Sequence, residues 1–153
     1  MSMQTSSIRV LDRFFGIEPL YAHCGVPCGI YDPHLAGVSA KTVHTMNKKL
    51  TDLPTPGPSP QEQLEHGNTI VRMVQTKEAH AQLCKQELLI LWTDYFKPEN
   101  AGPFPDLHET FWKAAKLCSY NKQHVELAKS QELMDAVAKI ADMFNKAEAA
   151  KKK

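Results

Sequence analysis

Residues 59–95 read SPQEQLEHGNTIVRMVQTKEAHAQLCKQELLILWTDY, and this stretch decides the fold. Ser59 and Glu62 have the spacing of a capping box. Pro60 takes the first helical position, where the missing N–H would have had no partner anyway. Leu64, Val71, Val74, Ala81, Leu88 and Tyr95 then recur near the helical period, which predicts one long helix towards Trp92 or Tyr95 with these residues as its buried stripe. Gly67 lies inside it and costs about 1 kcal/mol relative to alanine.

Working outward, Asp32-Pro33 offers a cap acceptor followed by a proline at the first helical position. Leu35, Val38, Val43, Met46 and Leu50 follow at near-helical spacing and predict a helix with that face buried. Four prolines and Gly57 between residues 52 and 60 end it. Beyond the long helix, Pro98, Gly102, Pro103 and Pro105 make the next break. Asp106 and Glu109 resemble a second capping box, opening a helix through Phe111, Ala115 and Cys118. Ser130 is the expected cap of a last helix with Leu133, Val137, Ile140 and Phe144 on one face. No segment alternates as a strand should, and there is no internal repeat or glycine-rich phosphate loop. The expectation is an all-α, up-and-down four-helix bundle, a fold that assigns no function by itself.

Composition narrows the function classes. The chain has 153 residues, 42% of them hydrophobic, enough for one well-filled core. A net charge of +1 gives no electrostatic reason to bind nucleic acid or an anionic membrane. No run of about 18 apolar residues offers a membrane span. Near the start, Phe14, Phe15, Gly16 and Ile17 follow Arg9 and Arg13, but Glu18 and Pro19 cut the apolar run below the length of a secretory signal. The closing Lys151-Lys152-Lys153 reads as a solvated end. Of the four cysteines, Cys84 and Cys118 sit in helical patterns and read as ordinary buried thiols. Cys24 and Cys28 lie in a Gly/Pro-rich loop.

That loop reads His23-Cys24-Gly25-Val26-Pro27-Cys28-Gly29-Ile30-Tyr31. Two thiols four residues apart, beside a histidine, form a compact set of soft ligands. It lacks the paired ligand sets of a structural zinc site, and the spacing taken alone favours two loop cysteines near a surface histidine. The whole string, extended through Asp32-Pro33, resembles the N-terminal hook of mature nickel superoxide dismutases. Trp92-Thr93-Asp94-Tyr95-Phe96-Lys97-Pro98 and Pro105-Asp106-Leu107-His108 resemble two further segments of that family, in the same order and at similar spacing. The resemblance covers most of residues 23–145.

The resemblance implies a superoxide dismutase that converts superoxide to O2 and H2O2 by Ni(II)/Ni(III) cycling at an N-terminal metal-binding hook, with one nickel ion per subunit. It implies as metal ligands the α-amine and imidazole of His23, the amide nitrogen and thiolate of Cys24, and the thiolate of Cys28. Tyr31 corresponds to the family's active-site tyrosine, while Tyr95 and Lys97 are candidates for lining the approach. A cis bond between Val26 and Pro27 is implied, and Gly29 suits a conformation closed to other residues. A free amine on His23 requires that residues 1–22 be a leader removed after Ala22 by a dedicated protease, leaving 23–153 as the catalytic domain. Arg9, Leu11, Phe14 and Phe15 are candidates for a short helix that this protease recognises.

A homohexamer is implied, with Phe104, Phe111 and Trp112 as candidate contacts whose ordinary role would be core packing. A cytoplasmic location is expected, although the same leader is compatible with export or organelle targeting. The chain departs from the family pattern at Gly25, where Asp is frequent. It departs again at Ser39 and His80, which occupy the positions of a Glu and an Arg that orient the axial histidine in some members. His80 is the candidate for taking over that task. Two other readings stand beside this one: a non-catalytic metal- or thiol-redox module using Cys24 and Cys28, and a purely structural bundle whose loop cysteines are incidental. Nickel content with a Ni(III) signal separates them.

Overall fold

The computed structural model describes residues 29–151. The chain divides into two units, Met1–Ile30 and Tyr31–Lys153, and the helices described below belong to the second. In order these are α1 (His34–Thr51), α2 (Pro60–Ile90), a π-helical turn continuing it (Leu91–Tyr95), the short α3 (Pro98–Ala101), α4 (Leu107–Gln123) and α5 (Leu127–Lys151). Helix α1 packs on α2, α2 on α4, α4 on α5, and α5 closes the ring on α1. Long helices that follow one another in the chain are thus neighbours, the up-and-down bundle expected. Val43, Leu88, Leu107, Phe111, Leu133 and Ile140 fill the core.

The capping box that opens α2 forms as its sequence predicts. The Ser59 hydroxyl accepts from the Glu62 N–H at 3.2 Å, and the Ser59 N–H donates to the Glu62 carboxylate at 3.1 Å. Pro33 stands at the cap position of α1, one place later than expected, and the Asp32 carboxylate just before it accepts from the His34 N–H at 2.7 Å. The other two expected caps are corrected. Asp106 stands at the start of α4 but makes no side-chain cap bond. Its carboxylate is drawn off by Lys139 of α5, which holds its pKa below the ordinary value. Ser130 lies inside the first turn of α5, which begins at Leu127. It is fully buried there, its hydroxyl donating to the Leu127 carbonyl at 2.9 Å and meeting His44 Nδ1 at 3.0 Å.

Two buried faces also differ from expectation. On α1 the inward residues are Ala36, Ser39, Ala40, Val43 and Asn47, while Leu35 and Val38 are exposed. The bundle turns the small side chains of α1 inward, where they let neighbouring backbones approach, at the expense of the larger apolar ones. On α2 the inward stripe of Ala81, Leu88 and Tyr95 appears, joined by Lys77 and Cys84, but Leu64 and Val71 are 69% and 53% exposed. The reason is the level at which the bundle ends. Lys77 Nζ donates to the His124 carbonyl at 2.6 Å, so Lys77 is level with the connection between α4 and α5. Residues 60–76 run past that connection for about 26 Å, and none of them is fully buried.

Asparagines finish this end of the bundle. The Asn47 amide donates to Asn121 Oδ1 at 3.2 Å and to the Glu126 carbonyl at 3.3 Å. The Asn121 amide donates to the carbonyls of Leu117 at 2.9 Å and Lys129 at 3.1 Å, bridging α4 to α5. Asn121→Ala strips these bonds from groups closed to water and should lower unfolding stability by roughly 2–3 kcal/mol. Urea denaturation measures it, and a loss below about 0.5 kcal/mol would show that the network does not hold the turn.

Candidate metal centre

The expected ligands His23, Cys24 and Cys28 lie outside the described residues, as do the leader 1–22 and the Val26–Pro27 bond. The description begins at Gly29, whose φ of 71° is the left-handed conformation that favours glycine. Among the described residues no group of three or more His, Cys, Asp or Glu side chains could hold a metal ion. The two described cysteines, Cys84 and Cys118, are buried in the core as expected. The thiols and imidazole of the expected 23–28 string would make an N,S donor set, a type that suits nickel.

Tyr31 follows directly, partly buried, with its ring edge-on to Tyr95 at 5.5 Å between centroids. Tyr95 ends the π-helical turn, in which the Phe96 N–H reaches back five residues to the Leu91 carbonyl at 3.1 Å. Tyr95 is 4% exposed and packs on Phe144 of α5 at 4.5 Å. Its hydroxyl donates to Glu148 Oε1 at 2.7 Å. Lys151 pairs with the same carboxylate at 2.7 Å and places its ammonium 4.3 Å from the Tyr95 ring. Burial, then the bond to Glu148 and its charge, raises the Tyr95 pKa well above the ordinary phenol value.

The two downstream segments singled out in the sequence meet. Trp92 Nε1 donates to His108 Nδ1 at 2.8 Å, and the Trp92 ring stacks on Phe111 at 5.8 Å. Phe96 packs edge-on to Phe104 and Phe111 at 6.0 and 5.6 Å. Phe111 is fully buried, so it is a core residue and not a subunit contact. Phe104 is partly buried against the core, whereas Trp112 is 54% exposed. Lys97 is exposed, its N–H held by Asn100 Oδ1 at 2.7 Å.

Glu148 and Lys151 were missed in the sequence. Glu148 lies four residues after Phe144, on the same face, but a charged residue near a chain end ordinarily reads as solvated. The substituted positions carry a different signal. Ser39 Oγ and His80 Nδ1 are buried with no hydrogen-bond partner among the described residues, an arrangement that needs an explanation in a native protein.

Comparison with known proteins agrees with this geometry. The family model for nickel-containing superoxide dismutase matches residues 18–148. Superoxide dismutase [Ni] from Streptomyces seoulensis is 33% identical over 136 residues, spanning 88% of this chain and 95% of that protein. The Streptomyces coelicolor enzyme of the same name matches with the same identity and coverage. A crystal structure of nickel-containing superoxide dismutase, with nickel ligation corresponding to the oxidised state, superposes with a TM-score of 0.68 at 31% identity, covering 83% of this chain and 99% of that one. A native structure of nickel superoxide dismutase gives a TM-score of 0.67 at 31% identity, covering 82% of this chain and 99% of that one. The chain belongs to the nickel-containing superoxide dismutase family, nickel-dependent oxidoreductases that act on superoxide.

Proposed function

We propose that the processed chain dismutates superoxide, two O2•− and two protons giving O2 and H2O2, at a nickel centre held by His23, Cys24 and Cys28. Bound nickel supplies the one-electron couple that links the two halves of the reaction. Its donors would be the His23 amine and imidazole, the Cys24 amide nitrogen and the thiolates of Cys24 and Cys28. Anionic sulfur and amidate donors push electron density onto the metal, which brings the higher oxidation state within reach of superoxide. The observation that carries this reading is Tyr31, three residues after the donor string, packed on the Tyr95 ring whose hydroxyl Glu148 holds. That brace fixes the Tyr31 ring, whose hydroxyl orders water or the anion near the metal. His80, with its unpartnered Nδ1, is the candidate for orienting the His23 imidazole.

An internal His23 nitrogen is an amide and a far weaker donor than an amine. The leader 1–22 is therefore removed after Ala22 by a processing protease. Six processed subunits form the working enzyme, in which neighbouring copies cover the hooks, with Trp112 and Phe104 among the candidate contacts. The enzyme works in the cytoplasm. Among the described residues no helix is long and apolar enough to cross a membrane.

Cys24→Ser or Cys28→Ser should abolish activity and nickel retention together, because a hydroxyl is a hard donor that stays protonated. Nickel quantification with electron paramagnetic resonance checks this, and either serine variant retaining both would overturn the ligand set. Active protein from the native host should begin at His23 by N-terminal sequencing and scatter light as a hexamer. Activity in protein still beginning at Met1, or in a monomer, refutes this arrangement.

Glu148→Gln removes the negative charge beside Tyr95 and should bring its pKa down towards the ordinary 10.0. The folded pKa is raised, so Tyr95 contributes stability that is full below about pH 10 and fades as pH rises through the folded value. Ultraviolet titration of phenolate should show the least accessible tyrosine ionising earlier in the variant. An unchanged titration would mean that Glu148 does not act on Tyr95.

A further inference from the structure

Trp92 and Tyr95 stand three places apart in the π-helical turn, yet they serve different helices. At that spacing on an α-helix, two side chains share one face. The wider π turn parts them. Tyr95 goes to α5, where its ring meets Phe144 and its hydroxyl donates to Glu148. Trp92 goes to α4, where its ring stacks on Phe111 and its Nε1–H donates to His108 Nδ1 at 2.8 Å. An indole N–H can only donate, so His108 Nδ1 carries no proton and the neutral ring holds its proton on Nε2. His108 is exposed in the first turn of α4 and belongs neither to the core nor to the donor string. Its imidazole is used to hold the indole.

We propose that His108 is a positioning residue for superoxide dismutation, acting through Trp92 and the π-helical turn on the packed pair Tyr31 and Tyr95. The proposal rests on the reading of Tyr31 as the tyrosine beside the metal. A π turn is a rare departure from the α-helical ladder, and contacts from outside the helix must hold it. Here both ends are anchored, Tyr95 by Glu148 and Trp92 by His108. Without the acceptor on His108, the Trp92 N–H is released to water and the segment relaxes towards α-helical rotation. The Phe96 N–H then exchanges the Leu91 carbonyl for that of Trp92, and Tyr95 turns away from Tyr31. Phe96 transmits the same movement through ring contacts, since it packs on Tyr95 at 4.9 Å and on Phe111 at 5.6 Å. Phe111 in turn carries the Trp92 ring.

The test uses processed, nickel-loaded enzyme. His108→Phe keeps a ring but has no acceptor. His108→Asn sets its amide oxygen as far from Cβ as Nδ1 stands in histidine, and so restores the acceptor. The phenylalanine variant should lose turnover by roughly tenfold, the effect of a small misplacement beside reacting atoms, with nickel content unchanged. Amide hydrogen exchange across residues 91–96 should quicken by about fivefold, the equivalent of one hydrogen bond. His108→Asn should restore both. Trp92→Phe keeps a ring on Phe111 and removes the donor, so it should match His108→Phe, and the double variant should be no worse than either. Additive losses, an asparagine variant as poor as the phenylalanine one, or unchanged exchange would overturn the positioning role. Faster exchange with full turnover, or loss of nickel from His108→Phe, would overturn it as well. Exchange is read on the helix alone, so that arm stands even if the nickel ligands are not those proposed, a failure that the serine variants of Cys24 and Cys28 report separately.

Discussion

The structure hangs on a buried cation. Lys77 is 2% exposed, and its ammonium donates to the His124 carbonyl at the end of α4. The last carbonyls of a helix lack partners within it, and they form the negative end of its dipole. Lys77 satisfies one of them with a full positive charge. Desolvation pulls its pKa below the ordinary value, with Glu78 opposing. The bond fixes the turn from which α5 departs. Helix α5 has 25 residues and is a rod of about 37 Å. Setting its origin sets where Phe144 and Glu148 arrive, and these hold Tyr95 against Tyr31.

How much of this could be read from the chain depends on whether a feature is local. The capping box at Ser59, the proline breaks and the inward faces of α4 and α5 follow from short-range rules, and they appear as read. The inward face of α1 does not. Leu35 and Val38 exceed the small residues in apolar area, but the orientation of α1 is decided by what its two neighbours, α2 and α5, can accommodate. Ser130 failed as a cap for the same kind of reason: a cap signal and a buried link to His44 use the same hydroxyl. At the site, the reading of the thiols, the histidine and Tyr31 rests on their order along the chain, and of these the structure describes Tyr31. Glu148 was not legible, because its role comes from a contact spanning 53 positions.

The two aromatic segments show how a local backbone device serves a distant partner. An α-helix continued without change through residues 91–95 would present these side chains in a different rotation. The π-helical turn adds a residue to the loop of the hydrogen bond between Phe96 and Leu91. Tyr95 then faces Tyr31 and Phe144, while Trp92 faces His108 and Phe111. Asn100 seals the exit, its amide donating to the Tyr95 carbonyl at 3.1 Å.

Helix α2 outruns the bundle, and so one continuous helix lives under two regimes. Beyond Lys77, towards the C-terminus, its inward residues Ala81, Cys84 and Leu88 belong to the core. Residues 60–76 are held by their own ladder, the Ser59 box and the Gln61–Glu65 contact at 2.8 Å. Partial burial of His66, Ile70, Met73 and Val74 adds the tertiary support that this stretch has. Within a subunit, full burial along this helix begins at Lys77. The buried ammonium is the boundary where an arm open to solvent becomes a beam of the core.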